Sequence, residues 1–159
     1  MTNLHLIYGF AGAGKTTFAR KLETEISAIR FTHDESMVKL YGNNPDEEKF
    51  PDYYERISDL IWNLTMQLLR LDRDVILDFG FWSRKSRDEA RCKAKIANAQ
   101  VKLYFVTCSE VVMRKRVAIR NNNLPSDSLW IDENAFELFK QSYEALGDDE
   151  NYIIIETDV

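Results

Sequence analysis

Cysteine, proline and histidine are scarce here, and long apolar runs are missing. The 159 residues hold two cysteines, three prolines and two histidines. Cys92 and Cys108 lie far apart with no second Cys or His at a zinc interval, so neither a disulfide framework nor a structural zinc site is indicated. Both read as buried or idle thiols. No apolar stretch approaches the roughly 20 residues needed to cross a bilayer. The apolar start is too short for a signal peptide. A cytoplasmic location is expected, with no membrane partner. There is no internal repeat, low-complexity tract or Gly/Ser linker. An apolar content of 45% with 30% charged residues is that of a soluble globular protein. A single domain over residues 1–159 can bury about two-thirds of its unfolded surface without a covalent staple.

Glycine is also sparse, but three of the six glycines fall within Gly9–Thr17, which reads Gly-Phe-Ala-Gly-Ala-Gly-Lys-Thr-Thr. This fits G-x-x-x-x-G-K-[ST], the phosphate-binding loop. Glycines let the chain turn its N–H groups inward around phosphate oxygens. The nucleotide-binding set is therefore Gly9, Ala11, Gly12, Ala13, Gly14, Lys15, Thr16 and Thr17. Lys15 supplies a point charge toward the β- and γ-phosphates, and the Thr16 hydroxyl can ligate Mg²⁺. The helix that follows offers unpaired N–H groups and the positive end of its dipole. Context agrees: apolar Leu4–Tyr8 precedes the loop, and helix-forming Thr17–Leu22 follows it.

The rest of the chain alternates strand and helix, the pattern of an α/β domain with a parallel sheet. Strands are expected at Asn3–Tyr8, Ile29–Thr32, Val75–Leu77, Val101–Val106 and Tyr152–Ile155. Helices are expected at Lys15–Ser27, Asp34–Tyr41, Asp52–Leu71, Ser83–Ala97, Glu110–Arg120 and Asp132–Leu146. The last is capped by Asp132 and stopped by Gly147. Asn121-Asn122-Asn123-Leu124-Pro125 stops the helix before it and suits a mobile lid over about 110–130. Along Asp52–Leu71 the apolar residues Tyr53, Tyr54, Ile57, Leu60, Ile61, Leu64, Leu68 and Leu71 recur at helical spacing and read as core. Five mostly apolar strands fit burial under helices on both faces, a three-layer P-loop kinase architecture with a helical lid.

A phosphate loop does not choose a reaction. There is no Asn-Lys-x-Asp guanine-reading motif and no Leu-Ser-Gly-Gly-Gln-like stretch. A GTPase switch and a transporter ATPase are thereby disfavoured, and a small kinase remains. Such an enzyme needs a carboxylate to orient the acceptor hydroxyl and take its proton. Asp34, just past strand two, is the candidate; Glu35 competes, and a helix N-cap is the plain alternative for Asp34. Asp78 ends strand three like a Walker-B acid and could hold Mg²⁺, directly or through water. His33 reads as structural or as a substrate contact, and His5 as a satisfied core or edge residue. Arg116 and Arg120 share a helix face and could place cations at the transferring group. Arg114 and Lys115 read as solvated.

The net charge of −5 hides a basic block. Between Arg84 and Arg120 stand eleven Lys/Arg against three Asp/Glu, a local excess of eight positive charges. That block could mark an anion site, with Arg84 and Arg87 meeting substrate or phosphate, or it could be a set of solvated helix faces.

The glycine loop, Thr-His-Asp-Glu after strand two, Val-Ile-Leu-Asp-Phe-Gly after strand three and Arg116-x-x-x-Arg120 in a late helix together resemble a family of small P-loop kinases. It includes chloramphenicol phosphotransferase, zeta-toxin-type sugar-nucleotide kinases and the kinase domain of polynucleotide 5′-hydroxyl kinases. The resemblance implies ATP- and Mg²⁺-dependent transfer of the γ-phosphate to an alcohol. It matches Lys15 and Thr16 to the phosphate and metal positions, Asp34 to the hydroxyl-activating acid, Arg116 and Arg120 to the lid arginines, and Asp78 to a strand-end acid of varying role. The acceptor expected is a hydroxyl of a small molecule such as an antibiotic, sugar or metabolite. The alternatives are a nucleic-acid 5′-hydroxyl, which the basic block would serve, and an ATP-binding regulatory module without catalysis.

Overall fold

A computed structural model describes residues 1–124 and 129–158. Its elements run β1 (Asn3–Tyr8), α1 (Lys15–Ile26), β2 (Ile29–Thr32), α2 (His33–Tyr41), α3 (Phe50–Arg70), β3 (Val75–Gly80), α4 (Arg84–Ile96), β4 (Gln100–Thr107), α5 (Glu110–Asn122), α6 (Glu133–Ser142) and β5 (Ile153–Glu156). The five strands form one parallel sheet in the order β2-β3-β1-β4-β5. The sheet and its covering helices make the expected α/β P-loop kinase-like fold.

Side-chain alternation on the central strand explains the layers. Leu4, Leu6 and Tyr8 of β1 join Val75 and Leu77 of β3 in a core closed by Ile57, Ile61 and Leu69 of α3 and by Ala90 and Ala94 of α4. Ile7 and Ile76 point the other way, into a core closed by Ala19 and Leu22 of α1. Both faces are therefore dry, and each fully buried Leu or Ile contributes about 1.5–3 kcal/mol. His5 is satisfied as expected: Nδ1 lies 3.0 Å from the Tyr104 hydroxyl and Nε2 lies 3.1 Å from Asp74.

Three expectations are corrected. The apolar stripe of α3 is only partly core. The buried line is Ile57, Ile61, Thr65 and Leu69, four residues apart, which leaves Tyr54, Leu60, Leu64 and Leu71 exposed on its flanks. Helix α6 is capped by Asp132, which accepts from Ala135 N at 2.7 Å, but it ends at Ser142 rather than Leu146. The backbone of the next residues is claimed elsewhere. Glu144 N donates to Trp82 O at 2.8 Å, Glu144 O accepts from the Tyr8 hydroxyl at 2.7 Å, and Ala145 O accepts from Arg87 at 3.3 Å. Residue 125 of the expected helix stop lies outside the described residues, as do 126–128 of the expected lid. Both cysteines are free thiols, Cys92 exposed and Cys108 half-buried.

The basic block is the third correction. Arg87 is fully buried and donates to Glu150 at 2.8 and 3.1 Å, beneath the ring of Tyr8. Arg91 donates to the same carboxylate at 2.7 Å, and Arg84 is forked onto Asp149 at 2.7 and 2.9 Å. Arg114 pairs with Glu110, Glu133 and Glu137 and lies over the Phe136 ring. These four arginines of the block are committed to the protein's own carboxylates. For Glu150, burial pushes the carboxyl pKa up, but the bonds from Arg87, Gly147 N and Arg91 outweigh it and hold the group at about 2. A depressed carboxyl contributes stability above its ordinary value of 4.5 and loses it as pH falls toward 2. Glu150→Ala is expected to cost about 3–5 kcal/mol at pH 7, because it strands a buried guanidinium. Urea denaturation should show that cost shrinking as pH is lowered below 4.5; a variant as stable as the parent at neutral pH would contradict the pairing.

Candidate active site

The topology brings the ends of the three strands on one side of the sheet together. Tyr8 at the end of β1 sits beside Gly80 of β3, and Thr32 at the end of β2 sits beside Asp78 of β3. The glycine loop leaves β1, Asp78 is carried on β3, and Asp34 stands in the first turn of α2 directly after β2. Thr32, not Asp34, holds the N-cap position of α2, so the cap alternative for Asp34 does not apply.

The loop is built by close approach. At Gly12, with φ of 82°, a Cβ would run into the Met113 carbonyl of α5. Helix α1 begins at Lys15, with Gly14 as its left-handed N-cap and no side-chain cap, so its first N–H groups face the cradle without a side-chain partner. Three of the loop carbonyls have donors of their own. Gly9 O accepts from Trp82 Nε1 at 2.8 Å, and Phe10 O accepts from Lys15 Nζ at 2.8 Å. Ala13 O accepts from the Thr157 hydroxyl and, at 3.3 Å, from Arg116.

Four titratable groups share this space. The Thr16 hydroxyl donates to Asp78 at 2.8 Å. Burial pushes the Asp78 carboxyl up, against the pull of Lys15 and of the Thr16 bond. Burial lowers the Lys15 ammonium, while the charges of Asp78 and Asp34 raise it and that of Arg120 lowers it further. Lys15, Asp34, Asp78 and Arg120 are thus within electrostatic reach of one another. The Nε of Arg120 is buried and finds no hydrogen-bond partner among the described residues. Such an orphan next to a cradle of N–H groups suits an anionic ligand.

Arg116 differs from Arg120. Its guanidinium donates to the Thr157 hydroxyl at 2.9 Å, to the Thr157 carbonyl, and at 3.3–3.4 Å to the carbonyls of Ala13 and Gly12. It braces the outside of the loop. Glu35, the competing carboxylate, accepts from Arg20 at 2.9 Å and from Arg30 at 3.0 Å. Among the described residues no group of three His, Cys, Asp or Glu could hold a metal by itself. Thr16 and Asp78 offer two oxygens, which suits a hard cation completed by phosphate oxygens and water.

Two features around the strand ends escaped sequence reasoning. The His33 ring lies flat against Tyr54, with centroids 3.9 Å apart at 7°, and tilts against Phe79 at 4.3 Å. Its Nε2 lies 3.0 Å from Ser58 Oγ, while Nδ1 is buried without a hydrogen-bond partner among the described residues. Tyr54 and Ser58 carried no local signal, because only the docking of α3 on α2 brings them there. Trp82 was likewise missed as a loop contact, although its position four residues after Asp78 placed it at the right end of the sheet.

These features define the class: a P-loop nucleotide-binding domain with a kinase-like fold. The chain belongs to the AAA domain family, whose profile matches residues 4–146. No curated protein matches it. Solved structures do, as likeness of fold. A candidate kinase from Chloroflexus aurantiacus is 16% identical with a TM-score of 0.76, over 97% of this chain and 87% of that one. Kti12 from Chaetomium thermophilum, solved with ADP-AlF3, is 17% identical with a TM-score of 0.72, over 98% and 89%. A sugar kinase from a Janibacter species is 17% identical with a TM-score of 0.62, over 98% and 85%. No helix among the described residues is long and apolar enough to cross a membrane.

Burial lowers His33 to a pKa of about 4, so its ring is neutral at physiological pH. Imidazole NMR shifts are expected to stay those of the neutral form from pH 8 down to about 5. A midpoint near the ordinary 6.5 would mean that the ring is solvated.

Proposed function

We propose that the protein is a phosphotransferase that moves the γ-phosphate of ATP to a hydroxyl of a small molecule. The observation that carries this reading is the convergence of Lys15, the Thr16–Asp78 pair and Asp34 at one end of the sheet. Bound ATP with Mg²⁺ would supply the transferable group and the charge neutralisation. The chain's residues would do the rest. The loop N–H groups and Lys15 would grip the phosphates, with Lys15 exchanging its bond to Phe10 O for phosphate oxygens. Thr16 and Asp78 would hold the metal. Arg120, with its unpartnered Nε, would meet the charge that develops on the moving group. Asp34 would accept the acceptor's hydroxyl proton. The freed oxygen then bonds to the γ-phosphorus as the bond to the bridging oxygen breaks and ADP leaves. The charge of Asp34 acts on both Lys15 and Asp78, which favours Asp34 over Glu35 as the base. Arg116 would act by shaping the loop.

The polynucleotide reading asks for free cations along a backbone path. Arg84, Arg87, Arg91 and Arg114 are tied to internal carboxylates, which favours a small acceptor.

An acceptor screen by ATP consumption, spanning nucleosides, sugars, aminoglycosides, phenicols and 5′-hydroxyl oligonucleotides, tests the reading. Transfer to at least one small alcohol is expected. Binding of ATP with no transfer to any of them would favour a regulatory module instead. With a working acceptor, Asp34→Asn should keep ATP affinity while turnover falls by about 10²–10⁴-fold. An unchanged rate removes Asp34 as the base. Lys15→Ala should weaken triphosphate binding and abolish turnover in the same assays.

A further inference from the structure

We infer that Trp82 is a positioning residue for the nucleotide cradle and ties it to the chain that follows α6. This rests on the reading above only in taking Gly9–Thr16 as the nucleotide site. The indole Nε1 donates to Gly9 O at 2.8 Å, while Gly9 N donates to Gly80 O at 3.3 Å. The start of the loop is thus pinned, through both of its peptide groups, to the turn after β3. The same indole lies nearly parallel to the Phe10 ring, with centroids 5.5 Å apart at 24°. Phe10 carries the carbonyl that holds Lys15 Nζ. One side chain therefore fixes two consecutive loop residues, including the one that docks the phosphate-binding lysine.

The turn that aims the indole is specialised. Gly80 has φ of 81°, and a Cβ there would lie 2.9 Å from Trp82 Nε1. Phe81 follows with φ of 49°, a left-handed conformation that a bulky residue rarely adopts. Strain of this kind persists where the surroundings over-determine it, commonly at functional sites. The indole also meets Phe139 of α6 at 5.0 Å and Tyr143 at 6.4 Å. Its backbone carbonyl accepts from Glu144 N at 2.8 Å and Arg87 Nη1 at 3.3 Å. Phenylalanine would serve the ring stack equally well. The N–H is what the loop requires, because it is the donor to the part-buried Gly9 carbonyl. Loss of that donor lets the Gly9–Phe10 peptides rotate and misaligns the N–H groups meant for phosphate.

Trp82→Phe keeps the stack and removes the donor. By calorimetry with ADP, its dissociation constant is expected to rise about tenfold over the parent. Phe139→Leu loosens the same aromatic cluster away from the loop. It should lower the melting temperature and leave ADP affinity within about twofold. In a Trp62→Phe/Trp130→Phe protein, where Trp82 is the only tryptophan, the indole N–H resonance should shift on ADP addition; this readout stands even if Trp82→Phe does not fold. The inference is overturned if Trp82→Phe binds ADP as tightly as the parent, if Phe139→Leu weakens binding equally, or if saturating ADP leaves the indole signal unmoved. A parent protein that binds ADP but transfers phosphate to nothing sinks the phosphotransferase reading and leaves Trp82's role intact. A parent that binds no ADP sinks both.

Discussion

A backbone that turns its N–H groups inward around a phosphate must turn carbonyls outward, and each buried carbonyl then needs a donor. Much of the tertiary structure around Gly9–Thr16 answers that one demand. Trp82 supplies it at Gly9, the Ala13 N–H at Phe10, and Thr157 with Arg116 at Ala13. The donors from outside the loop come from opposite flanks: the turn after β3 on one side, α5 and the chain after β5 on the other. An unsatisfied buried carbonyl costs about 1–3 kcal/mol, so the loop's shape is a property of the assembled fold, not of nine residues alone.

The arginines show how identical side chains are divided by their surroundings. Arg87 is fully buried, and its charge is tolerable only because Glu150 and several carbonyls surround it. It fastens the segment after α6 to the sheet and thereby holds Trp82's carbonyl in place. Arg116 is committed to loop carbonyls and Thr157. Arg120, one helical turn further on, keeps a buried Nε without a partner among the described residues, within electrostatic reach of the cradle lysine. Helical spacing puts Arg116 and Arg120 on one face, but the neighbours that face meets differ along its length.

At the start of α2, two adjacent carboxylates are separated in the same way. Glu35 is drawn into a network with Arg20, Arg30 and Glu23, while the charge of Asp34 acts on Lys15 and Asp78. His33, between them and β2, is kept neutral by burial under Tyr54 and against Phe79. A neutral ring adds no charge to a site that already balances a lysine and two aspartates.

The sequence by itself determined the order and type of the elements, because strand alternation, helical periodicity and glycine punctuation are local signals. It also determined the cradle, whose Gly, Lys and Thr positions follow from backbone geometry within nine residues. Asp34 and Asp78 were readable as candidates because each directly follows an apolar strand. Only the tertiary structure decided the strand order that places them together, the early end of α6, the internal pairing of the basic block and the roles of Trp82, Tyr54 and Thr157. Those outcomes depend on contacts between residues dozens of positions apart. Their free energy exists only once the chain has closed, and so it leaves no mark on the spacing of neighbouring residues.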